Sequence, residues 1–141
     1  MSRARDFANL AGSADVGGIT GSNLITNGAM RVAQRGTSTT GLQNSGGVFT
    51  IDRFSHRRGG TWSNAQFKHE QVDATVTGEP SLDKALKVTC TTAEGSVPAS
   101  GEAVAIGTYL EKGDTHRLGV GTSAALKSTF SFYARASIAT T

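Results

Sequence analysis

"KALKVTC", residues 84 to 90, sets Leu86, Val88 and Cys90 at alternate positions with Lys87 and Thr89 between them. A two-residue period belongs to a strand with one covered face, because successive side chains leave a pleated backbone on opposite sides. On that reading Cys90 is a thiol on the apolar side of its strand. "EAVAIGTYL", residues 102 to 110, repeats the pattern with Val104, Ile106 and Leu110. "STFSFYARASI", residues 128 to 138, carries it furthest: Phe130, Phe132, Ala134, Ala136 and Ile138 share one face, and Ser131, Tyr133, Arg135 and Ser137 the other. "VFTIDRF" (48 to 54) and "AQFKHEQV" (65 to 72) are weaker strand candidates, set off by glycine pairs at 46–47 and 59–60 that supply turn chemistry. Several strands with one covered face each predict an all-β, antiparallel β-sandwich.

The stretch "NGAMRVAQRG", residues 27 to 36, has no such period. Asn27-Gly28 predicts a chain reversal, since a type I′ hairpin turn needs positive φ at both central residues and this pair tolerates it. Ahead of it, Ser2 caps a predicted short helix in which Phe7, Leu10, Ala11 and Ala14 make one narrow stripe, ended by Gly12. Two turns are marginal alone, so the stripe must pack on something else. "GSADVGGITGSN" then reads as a flexible connector, which divides the chain into a segment 1–23 and a sandwich domain 24–141.

Composition bounds the function. Of 141 residues, 37% are hydrophobic and 18 are glycine, enough for one modest core. The formal charge of +3 comes from 14 basic and 11 acidic residues. They are too dispersed for a nucleic-acid footprint; only "RFSHRRGG" is locally basic. No stretch approaches the roughly 20 apolar residues of a membrane span, and no apolar signal core opens the chain. One cysteine excludes an internal disulfide framework and no Asn-x-Ser/Thr acceptor is present, which points to synthesis in a reducing cytosol. The strand expected at 129–138 has no following turn or partner, so the residues are expected to be the front part of a longer polypeptide or to be completed by a neighbouring chain.

"NLITNGAMRVAQRGTS", "GGVFTIDRFSHRRGGTW", "KALKVTCTTAEGS" and "LGVGTSAALKSTFSFYARAS", in this order over residues 23 to 138, resemble a domain recurrent in tail-fibre and other virion structural proteins of tailed bacteriophages. The shared elements are an NG-x-M-x-x-x-Q-R-G opening, a T-x-D-R-aromatic strand, and a G-T turn leading to an S-F-aromatic strand. The resemblance implies a jelly-roll, carbohydrate-binding-module-like sandwich of which this chain is the front half. It implies a virion protein assembled in the host cytoplasm, a homotrimer as the oligomeric state, and no enzymatic activity or cofactor. "SRARDFANL" is similar to the segments by which phage fibres attach to the particle. That makes Arg3, Arg5, Phe7 and Leu10 the candidate virion-anchoring residues, with Phe7 and Leu10 buried against another tail or virion protein.

Motifs for chemistry are thin. "GVGTSA" (119 to 124) matches G-x-G-x-x-A, but a dinucleotide site needs a buried strand before it and a helix starting within it. His56, His69 and His116 lack a shared helical face, so no metal site is expected. Asp52-Arg53 is better explained as a structural ion pair or hydrogen-bond anchor than as a catalytic acid with its partner. No pair of carboxylates suggests a glycosidase. Glycan contact needs an exposed aromatic beside hydrogen-bonding groups, which makes Trp62, the only tryptophan, and Tyr109 the candidates. In the plain alternative Trp62 plugs the core and Tyr109 is an exposed strand tyrosine.

Overall fold

The computed structural model describes residues 23–43, 46–60, 62–95 and 101–137. The predicted N-terminal helix, with the candidate anchoring residues Arg3, Arg5, Phe7 and Leu10, lies outside the described residues, as do most of the connector and Ile138. The fold is all-β: five strands in two antiparallel sheets, arranged as a sandwich. β1 (Ser38–Leu42), β3 (Gln66–Asp73) and β4 (Lys84–Thr92) form one sheet in the order β1-β3-β4. β2 (Phe54–Gly59) and β5 (Ala103–Thr108) form the other. The chain thus crosses between sheets after β1, β2 and β4. Both sheets belong to one compact body made of residues 25–109 and 131–137; residues 110–130 belong to a second, which carries the short helix α1 (Lys112–Arg117).

Register identifies the inner faces. Across β3 and β4, Phe67 opposes Cys90, His69 opposes Val88 and Gln71 opposes Leu86, so these six side chains share one side of the sheet. Leu42 of β1 opposes Phe67 on the same side, after an irregularity in the β1 ladder. Across β2 and β5, His56 opposes Ile106 and Arg58 opposes Val104. The sheets meet where His56 lies against His69 and Phe67, with ring centroids 4.8 and 6.0 Å apart. Leu42, Ile51 and Ala65 complete the buried centre. Gly47 makes an isolated antiparallel bridge to His56, with backbone bonds of 3.0 and 2.7 Å, on the chain passing from one sheet to the other.

β4 and β5 fall where the alternation places them, and β3 falls on the weaker candidate at 65–72. β2 begins only at Phe54, because Asp52 and Arg53 form a turn closed by the Phe54 amide on the Ile51 carbonyl at 3.3 Å, with Arg53 at φ 76°. A positive φ at a turn's third residue is incompatible with a continuous strand through 48–54. β2 ends at the Gly59-Gly60 pair, where a Cβ on Gly59 would stand 2.7 Å from the Gly101 carbonyl and one on Gly60 2.5 Å from the Glu102 side chain. Glycine is required there by close approach as well as by turning.

Three expectations are corrected. Residues 128–137 belong to neither sheet, and Phe130, Phe132 and Tyr133 are two-thirds exposed or more. Alternation supplies a face, but a strand also needs a ladder partner for its backbone groups. Cys90 is exposed rather than a core thiol. It points to the inner side as expected, but from β4, an edge strand, and Val88 beside it is 38% exposed while its cross-strand neighbour His69 is 3% exposed. The type I′ turn at Asn27-Gly28 is replaced by two overlapping turns, Ile25–Gly28 and Asn27–Met30, whose positive φ values fall on Asn27 (59°) and Met30 (56°). Among the described residues no strand flanks them, so the reversal is not seen as a hairpin there.

The loop between β2 and β3 is fastened from β4's far end. Glu94 accepts the backbone N–H groups of Ser63, Asn64 and Ala65 at 3.0, 3.1 and 3.2 Å on one carboxylate oxygen. These bonds, led by that from Asn64, hold the Glu94 carboxyl below its ordinary pKa. The contribution is therefore present above the ordinary carboxylate range and is lost as pH falls through the lowered value. Urea unfolding at pH 7 should show a lower midpoint for Glu94→Ala and a smaller decrease for Glu94→Gln, which keeps one acceptor oxygen. An unchanged midpoint for both would show that the loop holds itself.

Candidate functional site

The residues of the NG-x-M and T-x-D-R elements converge on one end of the sandwich. Asn27 donates through Nδ2 to the carbonyls of Val32 and Asp52, both at 2.9 Å, and its Oδ1 accepts the Val32 amide at 3.0 Å. The Asp52 amide returns to the Val32 carbonyl at 3.0 Å. Arg35 lies 3.4 Å from the Asp52 carboxylate. The same loop reaches the other sheet. Gln71 of β3 donates to the Met30 and Arg31 carbonyls at 2.7 and 3.0 Å, and the Leu86 amide of β4 meets the Met30 sulfur at 3.0 Å. Arg31 pairs with Asp83 at 2.7 Å, just before β4. Residues 27–35 thus act as a clasp, tied to the turn that starts β2 on one side and to the β3–β4 pair on the other. Asp52 is an anchor, as its sequence setting suggests, but its cationic partner is Arg35.

The inner face of β2 is polar. His56 and His69 are 1% and 3% exposed, and His56 Nδ1 lies 3.0 Å from His69 Nε2, so one imidazole donates and the other accepts. Burial is the main cause that lowers both pKa values, His69 to about 4; the neighbouring Arg58 charge adds to it at His56, and His56 adds to it at His69. Both rings are neutral at pH 7. Sequence spacing misses this pair, since the two histidines come from different sheets, 13 residues apart. Among the described residues no group of three or more metal-ligating side chains is present.

Trp62 and Tyr109 occupy different places. Trp62 is half-buried: its Nε1 donates to the Gly59 carbonyl at 3.0 Å, its ring meets Phe67 edge-on at 5.9 Å, and the Arg58 guanidinium lies 5.2 Å from its centroid. The indole therefore closes the inner face where β2 ends. Tyr109, one residue past β5, is 59% exposed, with the Arg57 guanidinium 4.8 Å from its ring centroid. It lines a cleft of about 360 Å3 with Arg35, Val48, Asp52 and Arg53. Arg57 stands on the outer face of β2, opposite Ala105, where small neighbours leave room for it to lie over the ring. The sequence names Tyr109 but not the arginines around it, which come from two separate stretches of chain, Arg35 from one and Arg53 and Arg57 from the other.

The G-x-G-x-x-A stretch follows helix α1 and makes a tight loop closed by the Leu126 amide on the Leu118 carbonyl at 2.8 Å. It has a helix before it and none starting within it, the reverse of a dinucleotide fingerprint. Comparison with family models, curated proteins and solved structures finds no match.

Proposed function

We propose that this chain is a non-catalytic structural component of a tailed-bacteriophage virion, a tail-fibre module whose N-terminal segment docks on the tail and whose sandwich forms a stalk or shoulder. The observation that carries this reading is the clasp. The residues on which the phage resemblance rests, Asn27, Met30, Arg35 and Asp52, direct their polar groups at backbone and at one another, so the motif serves architecture. The module works as a homotrimer, whose symmetric contacts cover open strand edges. Its anchor is Phe7 and Leu10, with Arg3 or Arg5 meeting an acidic or carbonyl-rich rim on the tail protein. Particles assembled with Phe7→Asp and Leu10→Asp together should lose the protein. Retention at wild-type copy number would overturn the anchoring role.

A second reading, a carbohydrate-binding module for host-surface glycans, is favoured by one observation: an exposed tyrosine set in a cleft with charged hydrogen-bonding groups. On this reading Tyr109, not Trp62, is the leading contact, because the Trp62 ring and its N–H already have partners inside the sandwich.

A further inference from the structure

We propose that the cleft beside Tyr109 binds an acidic sugar unit, a uronic or sialic acid residue of a glycan; the proposal rests on the glycan-recognition reading. Three features of the cleft select that class. The first is the exposed face of Tyr109. Arg57 lies 4.8 Å from the ring centroid, and the tyrosine is 59% exposed, which gives the apolar face of a pyranose an aromatic surface to stack on. The second is the guanidinium rim. Arg35, with a side chain 61% exposed, and Arg53 line the cleft beside Asp52, and Arg57 stands over the Tyr109 ring. A guanidinium fork matches a carboxylate in geometry as well as in charge.

The third feature is Asp52 itself. Its side chain is 15% exposed and held by the clasp, so it offers a fixed acceptor at the cleft wall. A sugar hydroxyl donates to such an oxygen. A phosphodiester has no proton to give it and is repelled by it. Stacking, one anionic group and hydroxyl donors are combined in a sugar acid, whereas a neutral sugar lacks the anion and a DNA backbone lacks the hydroxyls. The cleft volume lies within the range of small-ligand sites.

The test is calorimetric and NMR titration of the full 141-residue chain with oligogalacturonate, sialyllactose, lactose as the neutral counterpart, and a short oligothymidylate as a non-sugar anion. The acidic sugars should bind at least about tenfold more tightly than lactose, and the advantage should shrink with added salt. Tyr109→Ala and Arg35→Gln should each weaken acidic-sugar binding by about tenfold or more. Both side chains are exposed and the long Arg35–Asp52 surface pair adds little to the clasp, so circular dichroism and urea midpoints should stay close to wild type. If Tyr109→Ala perturbs the fold, Arg35→Gln decides alone. Lactose binding as tightly as the acidic sugars at this cleft would overturn the acidic specificity and leave glycan recognition standing. Oligothymidylate binding equally well would reduce the cleft to generic anion attraction and overturn the proposal. Absence of binding by every sugar would overturn the proposal and the glycan reading together.

Discussion

Between pH 6.5 and pH 4 the sandwich should lose stability on the order of 3 kcal/mol, in a window set by His56 and His69. In the unfolded chain both imidazoles titrate near 6.5; in the fold His69 is held down to about 4 and His56 is also lowered. Across that interval the unfolded state binds more protons than the folded one, so stability rises with pH and is complete above 6.5. Burial dominates because the pair lies between the sheets, and the nearby Arg58 cation opposes a second positive charge. Full protonation also sets two N–H donors against each other across 3.0 Å. Glu70, Asp83 and Glu94 also have lowered pKa values, so their contributions, present above the ordinary carboxylate range, are lost as pH falls through the lowered values and add to the histidine effect at the acid end.

Urea midpoints at pH 7.5, 6, 5 and 4 measure the effect. His69→Leu should destabilise at pH 7.5 by about 1 to 3 kcal/mol, since it leaves His56 Nδ1 buried without its partner. Combining it with His56→Leu should recover part of that loss, because two apolar groups leave no orphan, and should flatten the dependence between pH 6.5 and 4. A wild-type profile flat over this interval would show that the pair protonates in place without cost.

The same histidine pair explains why β2 was hard to see in the sequence. "FSHRRG" turns His56 and Arg58 inward, so its covered face is polar and the hydropathy alternation that marks β4 and β5 is missing. β1, "STTGL", has one large apolar residue, Leu42, and takes its place through pairing with Phe67 rather than from its own pattern. The opposite failure occurs at 128–137, where the alternation is the clearest in the chain and neither sheet takes the segment. Periodicity reports a face, whereas membership of a sheet also depends on a ladder partner that is remote in sequence. Val88 and Cys90 show an intermediate case: their side is legible, but their exposure follows from β4 being an edge. At the candidate cleft, Tyr109 was legible as an aromatic at a strand's end. Its surroundings were not, because Arg35, Asp52 and Arg53 reach it through turns whose geometry is set by the clasp.

That clasp should be the most sensitive point of the fold. Asn27→Ala is expected to cost about 2 to 4 kcal/mol, a large share of a domain's net stability of roughly 5 to 15 kcal/mol. Two terms add. Three hydrogen bonds, to the Val32 amide and to the Val32 and Asp52 carbonyls, disappear at about 1 kcal/mol each or somewhat less. Alanine also pays about 1 kcal/mol to hold the φ of 59° that asparagine tolerates. Two further substitutions separate the terms. Asn27→Gly restores the backbone freedom while still losing the side-chain bonds, so it should recover only about 1 kcal/mol of the deficit. Asn27→Asp keeps an acceptor for the Val32 amide but replaces the Nδ2 donor with a charged oxygen facing two carbonyls, and should be as damaging as alanine. Urea midpoints at pH 7 for the three variants should therefore rank glycine above alanine and aspartate, all below wild type. Glycine matching wild type would mean that Asn27 serves the turn alone, and that the sheets are joined at this end by Gln71 and Met30 without it.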